Sequence, residues 1–209
     1  MAVISVINLS VVKTDRLLFE HLNFAVERGG LLYVKGQNGA GKTSLLRVLA
    51  GLVNADSGEV YFSQQNIKDC RDDYNQHLVY FGHKLGVNQT LSAVENLQYW
   101  CKQHRVVISV DRIFNTLAQL NLVGLEDIPV ANLSAGQQRR VALARFWFKQ
   151  NAKVWILDEP FTALDTQGIE LISKQITQFL IGGGAVVMTS HQALRLDYPT
   201  DELTLEYRI

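Results

Sequence analysis

One run of eight residues limits the folds open to this chain more than any other feature. It is Gly36-Gln37-Asn38-Gly39-Ala40-Gly41-Lys42-Thr43, which fits the pattern G-x-x-x-x-G-K-S/T. A short apolar segment, Leu31–Lys35, precedes it, and leucines at helical spacing (Leu45, Leu46, Leu49, Leu52) follow. The chain must therefore pass from a strand through a glycine turn into a helix. Glycines let backbone N–H groups converge on phosphate oxygens, and the helix presents its positive end. In this pattern Lys42 reaches the β- and γ-phosphates, the Thr43 hydroxyl coordinates Mg²⁺, and Ser44 adds a phosphate contact.

A second phosphate cradle lies far along the chain. In Leu133-Ser134-Ala135-Gly136-Gln137 a glycine-containing turn opens a helix, and Ser134 is 91 positions after Thr43. One nucleotide does not easily need two cradles so far apart in a single chain. Two copies facing head to tail could use both.

The remaining pattern predicts strands alternating with helices and hence a largely parallel sheet. Strands are expected at 4–9, 22–26, Leu31–Lys35, Leu78–Phe81, 154–157 and 185–188, with a terminal strand at 204–209. Helices are expected at 42–51, with Gly51 as a C-terminal residue, and at 135–149 and 168–181. The region 91–121 reads mostly helical. Ala93, Leu97, Tyr99 and Trp100 suggest one apolar face, and Ile113, Leu117 and Leu120 suggest another. Residues 84–133 are therefore expected to form a helical subdomain within one domain spanning 1–209. Ser134 is a favourable N-cap for the helix that follows it.

A buried strand ends in Asp158-Glu159, at the carboxyl edge of the sheet where open α/β folds bind ligands. Asp158 suits Mg²⁺, reached through water. Glu159 suits a base that polarises an attacking water. Read alone, the pair is an acidic turn capped by Pro160. After a phosphate loop the chemical reading prevails. His191 follows the next strand in the chain, which could bring it near the γ-phosphate.

Composition excludes several classes. Lys+Arg and Asp+Glu both number 20 in 209 residues, so no polybasic nucleic-acid or membrane arm is indicated. Cys70 and Cys101 form no CxxC motif and no disulfide framework; two reduced thiols in a cytosolic protein are expected. The polar-interrupted start is not expected to be a secretory signal, and no stretch approaches the ~18 apolar residues of a membrane span.

The phosphate loop, Leu133–Gln137 turn, Asp158-Glu159 and His191, in this order over nearly the whole chain, resemble the ATPase subunit of an ATP-binding cassette (ABC) transporter. Thr162-Ala163-Leu164-Asp165 resembles its D-loop. The resemblance implies a P-loop NTPase fold of α/β class with a mostly parallel core sheet, an antiparallel N-terminal sheet portion and a helical subdomain. It implies hydrolysis of ATP, with Mg²⁺, to ADP and phosphate. Two subunits would sandwich two ATPs, each lying between one chain's Lys42 loop and the partner's Ser134, Gly136 and Gln137. Glu159 would be the base, and His191 and His83 would sense or position the γ-phosphate and water.

Three positions depart from the family pattern. An aromatic residue that stacks on adenine usually lies about 29 residues before the loop lysine; this chain has Lys13 there, and Phe19 is the neighbouring candidate to replace it. The Q-loop glutamine, counted back from Glu95-Asn96, is replaced by His83. Ala135 stands where glycine is commoner. A short cassette with Gly82-His83 and Leu133–Arg145 as here is similar to the haem-export cassettes of cytochrome c maturation, whose hydrolysis releases haem-loaded chaperone from a membrane complex. That similarity implies integral membrane subunits as partners and a peripheral site on the cytoplasmic face of a bacterial inner membrane. Neither nucleic-acid binding nor direct haem binding is expected. The alternatives are an ABC ATPase of another small-substrate exporter or of a non-transport system. A P-loop kinase would have no use for the Leu133–Gln137 turn, and a regulatory cassette would usually lack Glu159 or His191.

Overall fold

The computed structural model describes residues 1–190 and 196–207. It divides into two compact units: Met1–His83 with Asn151–Pro160 and Ile176–Ile209, and Lys84–Gln150 with Phe161–Gln175.

The first unit contains two sheets. In the antiparallel one, β1 (Ala2–Lys13) lies between β2 (Arg16–Glu27) and β4 (Ser57–Phe62), and β5 (Gln65–Asn66) extends the far edge. Both β1 and β2 outrun the alternating segments expected at 4–9 and 22–26. Register irregularities after Ala2, Val6, Leu9 and Val11 interrupt the period of two, so alternation alone stops short. Strand β4 carries Gly58 and escaped the sequence pattern. So did the seven-residue helix α2 (Arg71–His77), which buries only Tyr74.

The second sheet is parallel, with spatial order β6 (Leu78–Phe81), β7 (Val154–Asp158), β8 (Ala185–Thr189), β3 (Leu31–Lys35), β9 (Asp201–Thr204). All five residues of β7 and of β8 are buried, as continuous apolar runs covered on both faces should be. Of the segment expected at 204–209, residues 205–207 are not strand and 208–209 lie outside the described residues; the terminal strand is Asp201–Thr204. It pairs with β3 as an edge strand, and its exposed Asp201 and Glu202 hide it from a hydrophobic search.

Helix α1 (Lys42–Leu49) packs Leu45, Leu46 and Leu49 into the core. Leu52 does not join that stripe: it is 59% exposed, because the helix ends at Ala50 and Gly51 turns the chain in a left-handed conformation.

The second unit is helical. It contains α3 (Ala93–Gln103), α4 (Val110–Gln119), α5 (Ala135–Leu143) and the first part of α6 (Thr166–Ile181). Ser92 and Glu95 form a reciprocal capping box that starts α3, satisfying two otherwise orphaned amides. Ala93, Leu97 and Trp100 face inward, but Tyr99 is exposed. Ile113, Leu117 and Leu120 are buried as expected. The helix expected at 135–149 remains α-helical only to Leu143 and tightens to a 3₁₀ turn over Ala144–Trp147. No helix among the described residues is long and apolar enough to cross a membrane.

Candidate active site

The phosphate loop joins β3 to α1 in the first unit, and its glycines are required by geometry. Gly36 has φ +143°, and a Cβ there would lie 2.5 Å from the Leu205 carbonyl oxygen. Gly41, the residue before α1, has φ +100°. A side chain at either position would be strained. Helix α1 carries no acidic residue in its first turn, so its positive end is available to an anion.

Lys42 is 8% exposed. Its ammonium donates to the carbonyls of Gly36 at 2.6 Å and Gln37 at 3.1 Å. The loop thus holds its cation against its own backbone carbonyls. Thr43 Oγ1 donates to Asp158 Oδ2 at 2.9 Å, linking the start of α1 to the end of β7.

Asp158 is 2% exposed and accepts a second bond, from Thr189 Oγ1 to Oδ1 at 2.8 Å. Thr189 faces Asp158 in the parallel ladder between β7 and β8. The same Thr189 oxygen accepts from the Glu159 amide at 3.1 Å. Glu159 has φ +53°, so the chain leaves the strand in a left-handed turn, a strain of the kind found at functional sites. Glu159 lines the same pocket as Lys42, Thr43 and Ser44. That pocket has a volume of about 360 Å³.

The second cradle lies in the second unit. Ser134 caps α5: its Oγ accepts from the Gln137 amide at 3.3 Å, and Gln137 Oε1 accepts from the Ser134 amide at 2.8 Å. Ser134 and Ala135 are exposed, and α5 also lacks an acidic residue in its first turn. A Cβ on Gly136 would sit 2.9 Å from the Ala163 carbonyl oxygen, so glycine permits a close approach to the 162–165 turn. Arg140 Nη2 donates to Asp165 of that turn at 2.5 Å, which with the Gly168 amide holds the Asp165 carboxyl below the usual carboxylate range.

A family model described as "ABC transporter" matches residues 19–162. This chain belongs to the ABC transporter family. Curated relatives of the cassette cover almost its full length. A "Cytochrome c biogenesis ATP-binding export protein CcmA" of Idiomarina loihiensis is 49% identical over 96% of this chain and 91% of its own. Proteins of the same name from Yersinia pestis and Vibrio vulnificus are 47% and 43% identical, over 90% and 94% of this chain and 85% and 95% of their own. Among solved structures, a putative ABC transporter ATP-binding protein from Pyrococcus furiosus superposes with TM-score 0.81 at 24% identity, covering 97% of this chain and 96% of that one. A dimeric bacterial ABC transporter cassette superposes with TM-score 0.82 at 22% identity, covering 97% and 94%. These two likenesses establish the fold.

Within the cassette, Lys42, Thr43, Ser44, Asp158 and Glu159 come together in one unit, and Ser134, Gly136 and Gln137 come together in the other. His83 is exposed, two residues beyond β6 and at the same sheet edge as Asp158. It is not among the pocket-lining residues described. His191 lies outside the described residues; Ser190 before it accepts a hydrogen bond from the Tyr33 hydroxyl at 2.7 Å. Phe19 is 3% exposed and packed in the core, so it offers no ring to a base. Sequence reasoning missed Thr189. Its place in the site comes from ladder register, and no motif spacing reveals it.

Proposed function

We propose that this cassette binds ATP with Mg²⁺ and hydrolyses it to drive an export complex serving cytochrome c biogenesis, with haem export as the transported step. The observation that carries the catalytic reading is the chain of bonds from Thr43 through Asp158 to Thr189 and the Glu159 amide, beside the buried Lys42. The export reading is supported by relatives at 43–49% identity that bear the cytochrome c biogenesis export name.

In this reading residues 36–44 wrap the phosphates through backbone amides, and Lys42 leaves its carbonyl partners to meet the β- and γ-phosphates. The Thr43 hydroxyl and the Asp158 carboxylate, 2.9 Å apart, are hard oxygen donors of the kind Mg²⁺ takes alongside phosphate. When bound, the ion would neutralise charge on the transferring phosphoryl group. Glu159 accepts a proton from the attacking water, oriented by the strained turn that Thr189 pins. His191 and His83 position the γ-phosphate and water. Ser134, Gly136 and Gln137 act on the nucleotide of a second copy in a homodimer. Ser134 Oγ and Gln137 Oε1 both accept within the cap, so what these two side chains offer the nucleotide is their donors, the Ser134 hydroxyl hydrogen and the Gln137 amide group. Integral membrane subunits hold the dimer at the cytoplasmic face of a bacterial inner membrane.

The test is complementation. A bacterial host lacking its own cytochrome c biogenesis cassette receives this chain or its Glu159→Gln variant, and covalently attached haem in c-type cytochromes is measured. Restoration by the wild type alone supports the proposal. No restoration by a well-expressed wild-type chain would overturn the export reading. Restoration by both would overturn the role given to Glu159.

A further inference from the structure

The pocket beside the phosphate loop has a wall that neither the loop nor the strand ends supply. It is the tip of the β1–β2 hairpin, where Lys13, Thr14 and Arg16 line the pocket together with Gly39. Thr14 and Asp15 both have positive φ, 49° and 62°, the two-residue turn whose twist matches paired strands. This turn sets Lys13 opposite Arg16.

The Arg16 side chain is fixed from two directions. Its Nη2 donates to the Gly39 carbonyl at 3.1 Å. Its guanidinium carbon lies over the Tyr207 ring, 4.0 Å from the centroid, a cation–π contact. Arg16 belongs to the pocket wall, and Tyr207 is not among the lining residues. The ring thus braces the guanidinium beside Gly39. No aromatic side chain occurs among the described residues that line the pocket.

Lys42, Thr43 and Glu159 define the phosphate end of this pocket. A triphosphate held there must place its nucleoside elsewhere along the walls, and the hairpin tip is the wall left over. A guanidinium plane is a competent stacking surface for a base. We propose that Arg16, set in place by Tyr207 and the Gly39 carbonyl, is the platform on which the purine base of the bound nucleotide stacks. This rests on the nucleotide reading above. Stacking reads a π-face and not the exocyclic groups, so ATP and GTP should bind with comparable affinity.

The test measures binding of ATP and of inorganic tripolyphosphate, each with Mg²⁺, to the full chain. Tripolyphosphate offers the phosphates without a base. Arg16→Lys keeps the charge and removes the plane; it should weaken ATP about five- to tenfold and leave tripolyphosphate affinity unchanged. Tyr207→Leu should weaken ATP in the same direction with Arg16 intact. Equal losses for both ligands would assign Arg16 to the phosphates and overturn the proposal, as would unchanged ATP affinity in both variants. A wild-type chain that binds neither ligand would overturn the nucleotide reading itself, and this inference with it.

Discussion

Thr43 and Asp158, 115 positions apart, are joined by a hydrogen bond of 2.9 Å. It ties the first turn of α1 to the last residue of β7, so the phosphate loop and the acidic edge are positioned as one piece. Thr189 completes the link by donating to Asp158 and accepting from the Glu159 amide.

Thr189→Val tests that link. The valine is of similar size, but it leaves a buried carboxylate oxygen without its donor and the Glu159 amide without its acceptor. An unmade buried bond costs about 1–3 kcal/mol, so the melting temperature should drop by roughly 3–10 °C, and ATP turnover should fall as Glu159 loses its anchor. Calorimetry and phosphate release measure the two effects. An unchanged melting temperature would show that the threonine hydroxyl is dispensable.

Glu159→Gln should retain ATP and lose roughly 10²–10⁴ in hydrolysis, the usual contribution of a general base. With hydrolysis blocked, ATP should drive a stable dimer visible by light scattering. A variant that hydrolyses normally and stays monomeric with ATP would remove Glu159 from the mechanism.

Lys42→Ala should remove most nucleotide affinity, because no other side chain in the loop carries a positive charge. Ser134→Arg should block the second cradle. Mixed in one heterodimer, the two variants leave one composite site with both halves intact, so part of the activity should return. Heterodimers that form and remain inactive would count against sites shared between two chains.

Alkaline pH should expose the burial of Cys101. Burial pushes its thiol up to about 11, from 9.0 when exposed. Between these values the unfolded chain has released a proton that the folded chain still holds, so unfolding is favoured and stability falls as pH rises. Urea unfolding across this window should show a steeper loss for the wild type than for Cys101→Ala. Equal slopes would mean that the thiol ionises freely in the folded protein.

The sequence by itself determined the strand–loop–helix at Leu31–Lys35 and Lys42–Leu49, the buried strands ending at Phe81 and Asp158, and the Ser134 cap. In each case the cause is local. Positive φ and close approach demand glycine at Gly36, a wholly apolar run demands burial on both faces, and a serine hydroxyl satisfies an orphaned amide within three residues. The full extent of β1 and β2 was hidden because register shifts break the alternation that marks a strand. The edge strand at Asp201–Thr204 was hidden because acidic residues at a sheet edge give no hydrophobic signal. Only tertiary structure decided that Thr189 joins Asp158 to Glu159, that Phe19 is spent in the core, and that Tyr207 supports Arg16 beside Gly39. These pairings depend on which strands become neighbours and on the conformation of one two-residue turn. Such relations are set by the packing of the whole sheet, and residues 23 to 191 positions apart in the chain carry no local mark of them.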